Sequence, residues 1–369
     1  MKERSLFWDI LKGIGVISVV FGHCCPQYAY YVYSYHLALF FFVSAFFYSE
    51  KKYRNNLFGY VGNLFKNNWV KYVFYSVLLI LFHNFIVWKC LDVSAVYISF
   101  KEIIENILLS FIFVGRERFA GAMWFVLPNM LACGFLAGIV TLFDRVSLFI
   151  TGREKRKLIK NILIVLFACV AAVVCFGTKL MFNIQLSFIV LPLCVSAYFI
   201  RQYIGFKPDK YLKWYIALPF AALSYVLLEK GVRVELSQNI VPGIWFYILS
   251  FSGIYVCMYL SKLISRNKVI GKLFAFCGEK SFSVMALHFF AIKFFDRIVN
   301  FVIGEKNPQI IGRWVCSYPE KLWPAYLIVG TVAPVIFAYL INKFRVYVCN
   351  RIEKNLSAAS TNQQMNDFS

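Results

Sequence analysis

Charge is scarce in this chain, and acidic charge scarcest: of 369 residues only 15% are Asp, Glu, Lys or Arg, with 18 acidic against 39 basic side chains. An ordinary soluble domain carries about 25% charged residues, so an all-round water-facing surface is excluded. Histidine occurs only four times. There is no CxxC pair, no glycine-rich phosphate loop and no His or carboxylate spacing that fits zinc, so no metal is expected. No period of about 20 to 50 residues marks a repeat architecture. Of the eleven cysteines, Cys133, Cys169, Cys175, Cys194 and Cys257 stand singly in apolar runs, where Cys behaves as a small hydrophobe. A bridge among Cys24, Cys25, Cys90 and Cys316 is conceivable and is not predicted.

What the chain has instead is apolar length. It is 60% hydrophobic and 19% aromatic, with a mean hydropathy of +0.66, and its apolar runs repeat at the roughly twenty residues that cross a bilayer. The expected fold is all-α: a polytopic transmembrane helical bundle of about ten spans, near 6–25, 30–49, 69–89, 122–143, 160–177, 184–200, 212–229, 240–261, 281–302 and 322–342. With span-end residues counted in the adjoining loops, Lys and Arg number 26 on the side of the N-terminus and 10 on the other. That asymmetry predicts both termini in the cytoplasm. It also accounts for the net charge of +21, so no nucleic acid is expected as a partner. Asp9 and Lys12 interrupt the first apolar run and no small-residue cleavage site follows, which argues against a removable signal peptide. Residues 1–347 are read as the membrane domain, and the polar stretch 348–369 as a disordered cytoplasmic tail.

The first span is the unusual one, because Asp9, Lys12 and His23 sit among Leu, Ile, Val, Phe and Gly. An ionisable group in a span costs about 2.5 to 3.5 kcal/mol near the centre and usually faces a partner or a wet cavity. Lys12 and His23 are eleven positions apart, about 20° from alignment on a helix and roughly 16 Å apart along it. Asp9 lies on the same face, one turn from Lys12, where the two can pair. His36 opens the second span, across a short outer hairpin from His23, so the two histidines are expected near each other at similar depth.

The string DILKGIGVISVVFGH followed by YHLALFFFVSAFFY resembles the start of the integral-membrane acyltransferase family three, which O-acylates carbohydrates, and most of all its fucose-acetylase-type branch. That pattern has a basic residue, ten apolar positions and a His, here Lys12 and His23, with His36, Phe40, Phe41 and Ser44 in the second span. Lys12 stands where many members have Arg, and Ala38 and Ala45 replace a Pro and a Gly. The resemblance implies transfer of an acyl group, acetyl above all, from a coenzyme A thioester such as acetyl-CoA. The acceptor it implies is a hydroxyl of a carbohydrate: an exopolysaccharide, an O-antigen or a lipid-linked sugar. The expected location is the cell membrane (inner or plasma membrane), with membrane lipid around the chain. His23 is expected as general base, with His36 orienting it, holding the acceptor or stabilising the oxyanion.

Further substrate-binding candidates follow. The basic inner segment with Lys51, Lys52, Arg54, Lys66 and Lys71 fits either the topology signal or a phosphate rim for the donor, with Arg54 as candidate. Between about 90 and 121, Ile103, Ile104, Ile107, Leu108 and Phe111 recur at helical spacing, predicting an amphipathic or re-entrant helix at the outer surface. Trp124 follows it, as interface anchor or acceptor contact. The Arg116, Glu117, Arg118 cluster reads as solvated surface or a sugar contact. GEKSFSVMALHFF resembles the family's late motif through Gly278, Ser281 and His288, with His288 expected in the inner half of the membrane, far in depth from His23. Pro192 and Pro219 predict kinks. A reading of another class also fits intramembrane charge: a transporter or flippase for a polysaccharide or lipid-linked glycan. Paired broken helices in two inverted halves would favour it; here the ionisable groups gather at one end of the chain.

Overall fold

The computed structural model describes residues 5–53, 56–89, 91 and 95–366. Arg54 and Cys90 lie outside the described residues. The described residues are predominantly helical: α1 (Leu6–Cys24), α2 (His36–Phe46), α3 (Val70–Trp88), α4 (Phe100–Ser110), α5 (Val126–Val146), α6 (Arg153–Cys175), α7 (Leu191–Phe199), α8 (Trp214–Glu229), α9 (Ile244–Ser265), α10 (Lys268–Glu279), α11 (Ser281–Ile303) and α12 (Pro319–Asn366), with short helical turns among the connections. Each of the ten expected spans coincides with a helix or a bent helix pair. Among the described residues, seven helices can cross a membrane by length and composition, or eight if the pair Met181–Ile189 and Leu191–Ile204, bent by 44°, is one span. Pro192 sits at the start of α7, beside that bend. The remaining two, α8 with 16 residues and the charge-bearing α11 with 23, are respectively short and less apolar.

α1 is the axis of the bundle: α2, α9, α10, α11 and α12 all pack on it. Small residues permit this closeness, since without a hydrophobic drive between helices in lipid, van der Waals contact between backbones takes over. A Cβ added to Gly278 of α10 would stand 1.8 Å from the Asp9 carbonyl oxygen, and one on Gly13 would stand 2.1 Å from that of Phe274.

Two expectations about surface segments change. The basic inner segment is not a loop over its whole length: from Leu57 it is helix, continuing through a wider turn at Phe65–Trp69 into α3, because Leu57, Tyr60, Val61 and Leu64 supply an apolar face at helical spacing. The Glu117 carboxylate is buried instead of solvated and pairs with His83 Nδ1 at 2.7 Å. The flanking Arg116 bonds Glu105 at 2.8 Å and Arg118 lies 3.8 Å over the Trp314 ring. The amphipathic helix is α4, opened by a reciprocal cap in which Ser99 Oγ accepts from Glu102 N–H and Glu102 accepts from Ser99 N–H. Helical backbone in α12 runs to Asn366, into the stretch whose composition reads as a tail.

Two further clusters of buried charge are paired. Lys160 bonds Glu50 at 2.5 Å and Asp144 at 3.2 Å, and Tyr198 donates to Glu50. Lys293 donates to Asp296 at 2.9 Å and to the Arg313 carbonyl at 2.6 Å, while Asp296 also accepts from Tyr326 at 2.6 Å and from Ser317 N–H at 2.7 Å. Removing one partner from such a group leaves an uncompensated charge, at about 3 to 5 kcal/mol.

Candidate active site

The two N-terminal histidines meet as their spacing predicts. His23, at the end of α1, and His36, at the start of α2, line one cavity of about 70 Å³ together with Tyr33, Trp124, Glu235 and Ser237. Tyr33 is set between them: its ring centroid is 6.3 Å from that of His23 and 5.3 Å from that of His36. Its hydroxyl donates to the Gly22 carbonyl at 3.1 Å. A side chain at position 22 would meet that ring at 2.5 Å, so glycine there seats the tyrosine.

His36 is buried, and its Nδ1 lies 2.8 Å from the Val32 carbonyl. A carbonyl only accepts, so Nδ1 carries the proton and Nε2 keeps its lone pair. His23 is only half-buried and is held by rings: Phe289 at 4.6 Å and His288, stacked at 5.2 Å with 25° between planes.

That stack corrects the expectation that His288 lies far in depth from His23. The reason is α10, whose Lys268, Lys272 and Glu279 read as an inner loop. As a helix it packs along the first half of α1 and crosses it at Gly13 and Gly278. From that crossing, ten residues lead up α1 to His23 and ten lead to His288, so both rings arrive at one level. His288 is fully buried, and its Nδ1 faces the Val284 and Met285 carbonyls at 3.0 and 2.9 Å. Its Nε2 is left as an acceptor that meets no donor among the described residues.

The other candidates are spread out. Lys12 and Asp9 pair at 2.6 Å, the lysine one-quarter exposed, near the opposite end of α1 from His23. Ser44, two turns beyond His36, accepts from Asn129 at 3.2 Å and does not line the histidine cavity. Trp124 does line it. Glu235 and Ser237 are what sequence reasoning missed. They come from the turn between α8 and α9, where Ser237 Oγ donates to Glu235 at 3.1 Å and Gln238 Nε2 donates to it at 2.9 Å. The one signal for them was a carboxylate in a short connection on the predicted outer side, the kind of segment that carries function.

A half-buried imidazole beside a second one with a free lone pair, a carboxylate and a serine can accept and return protons within a confined space. The sequence matches the acyltransferase 3 family, described as an acyltransferase domain, over residues 5–343. No curated protein and no solved structure matches. Because the match runs from the foot of α1 into α12, and so takes in the whole helical bundle with its histidine cavity, the chain belongs to the acyltransferase 3 family and is a multi-pass membrane acyltransferase.

Proposed function

We propose that the chain moves an acyl group, acetyl first among them, from acyl-CoA to a hydroxyl of a cell-surface or lipid-linked carbohydrate, at the cavity between His23 and His36. The observation that carries this reading is the convergence of the two histidines from neighbouring spans on one confined cavity. A sugar hydroxyl is a weak nucleophile at neutral pH, and a positioned base contributes about 10² to 10⁴ in rate. In the proposed step His23 takes the hydroxyl proton as the oxygen attacks the thioester carbonyl. The carbon–sulfur bond then breaks, and the proton passes from His23 to the departing coenzyme A thiolate. His36 holds the acceptor sugar by accepting a hydroxyl hydrogen bond at its free Nε2, Ser237 turns its hydroxyl from Glu235 to the oxyanion, and Glu235 stabilises His23 while it is protonated.

Lys12, paired with Asp9, belongs to the donor's path from the cytoplasmic side. This orientation, with both termini cytoplasmic in the cell membrane, rests on the asymmetry of Lys and Arg between the two sides; reporter fusions after Glu50 and Ser265 read cytoplasm and one after Tyr30 reads outside if it holds. The reaction itself is tested by mass spectrometry of surface glycans from cells with and without the chain. A gain of one acetyl group per modified sugar is the expected result. Unchanged glycans with altered glycan export would return the reading to a transporter.

A further inference from the structure

α11 carries two stripes. One, through His288, Lys293, Asp296 and Asn300, is buried in the bundle. The other, through Leu287, Phe290, Phe294, Ile298 and Phe301, recurs at three- and four-residue spacing and becomes more open along the helix, with Phe294, Ile298 and Phe301 46%, 47% and 86% exposed. Two cavities lie along this second stripe. The first, of about 290 Å³, is a wholly apolar groove between α11, Leu79 and Phe82 of α3, and Ala333 and Phe337 of α12. The second, of about 390 Å³, lies toward the end of α11 and contains Lys89, Arg297 and Glu305. Phe294 lines both, so the groove and the charged cavity adjoin.

Within the second cavity the charges are unequal. The Glu305 carboxylate is already engaged by the Tyr318 hydroxyl at 2.5 Å and by the backbone N–H groups of Lys306 and Asn307 at 2.9 and 2.8 Å. The Lys89 ammonium rests 3.4 Å over the Trp88 ring, on an exposed residue. Arg297 is half-buried, within the expected span 281–302, and has no hydrogen-bond or ion-pair partner among the described residues. Intramembrane cations are costly and normally meet a counter-charge. The guanidinium fork matches the oxygens of a phosphate, which Lys supports as a point charge. Arg297 is seven residues beyond Phe290, roughly 10 Å along the helix, and six residues short of its end at Ile303, so an apolar mid-span groove leads up to a cationic site near the helix end.

We propose that this pair of cavities binds an anionic glycerophospholipid of the bilayer, with an acyl chain in the groove between α3, α11 and α12 and its phosphate on Arg297 and Lys89. The site faces the lipid side of α11, opposite the histidines, and does not depend on the acyltransfer reading. Two cations against one engaged carboxylate favour a headgroup with net negative charge over a zwitterionic one, whose own cation would face Arg297.

The test uses the full chain, purified, delipidated and returned to vesicles containing phosphatidylglycerol and phosphatidylcholine, with retained lipid counted by mass spectrometry of the intact protein. The expected result is one phosphatidylglycerol retained in preference to phosphatidylcholine. Arg297→Gln and Lys89→Gln should each weaken retention on the order of tenfold, the size of a lost charge-assisted bond. Ala333→Phe, which fills the exposed side of the groove and changes no charge, should do the same, whereas Arg116→Gln should not. Thermal unfolding with and without phosphatidylglycerol keeps the test independent of folding: the variants should unfold like the parent without the lipid and lose the lipid-dependent rise. Equal retention of both lipids, or retention unaffected by Arg297→Gln, would overturn the proposal.

Discussion

His23 and His288 stack with ring centroids 5.2 Å apart, and the buried member of the pair keeps an acceptor nitrogen that no donor among the described residues meets. An unsatisfied buried polar atom costs about 1 to 3 kcal/mol, and such atoms in a native fold call for a reason. His288→Phe keeps a ring beneath His23 and removes that atom. Expected is a melting temperature in detergent equal to or above the parent's, together with at least a tenfold loss of acyl transfer, the signature of an atom kept for function. A lower melting temperature with full activity would make His288 packing alone.

The two cavity histidines differ in access. His23 is half-buried and its ring is held by stacking, whereas His36 is buried and anchored through Nδ1 to Val32. The more accessible of the two is the better candidate for the base. His23→Ala should therefore lower kcat by about 10² to 10⁴ and His36→Ala by less, with both proteins folded and inserted. Equal and complete loss would make them one catalytic unit, and normal activity in either would remove it from the site.

Much of this was legible in the sequence. A helix fixes which residues share a face, so the His23 and Lys12 stripe and the Asp9 pairing follow from spacing alone. A short hairpin fixes that His23 and His36 meet. What spacing does not carry is contact between distant segments. Glu235 reaches the histidines only because α8 and α9 deliver its turn to that end of the bundle. The depth of His288 was misread because α10 has the charge of a loop and the packing of a helix. Ser44, on the same helix as His36, belongs to a contact with Asn129 instead of the cavity.

The Gly13 and Gly278 crossing sets the level of both stacked histidines. A methyl group at Gly278 would meet backbone, the Asp9 oxygen at 1.8 Å and the Gly13 nitrogen at 2.8 Å, and backbone does not rotate away. Gly278→Ala should cost about 1 to 3 kcal/mol or more and lower activity by shifting α11 against α1. Gly62→Ala, with nothing within 4 Å, is the control and should leave both unchanged. Thermal unfolding of the detergent-solubilised variants decides it; an unshifted Gly278→Ala would mean that the helices part without penalty.

Lys12 provides the last test, and it follows from distance. Its ammonium is held 2.6 Å from Asp9, and eleven residues of helix place it roughly 16 Å from His23 along the axis. A donor whose charged nucleotide stays at the cytoplasmic mouth would pass Lys12 and reach the histidines with a flexible thioester arm. Lys12→Met removes the cation from that path, so the apparent KM for acetyl-CoA should rise by about tenfold or more, the size of a lost charge-assisted contact. Lys12→Arg keeps the charge and should retain part of the donor use. The plainer role is that Lys12 reaches back to the inner surface and fixes topology alone. In that case the two substitutions separate differently: Lys12→Met would disturb insertion without changing the KM of the inserted fraction. Donor KM measured on purified, correctly inserted Lys12→Met protein distinguishes the two, and an unchanged value sinks the donor path.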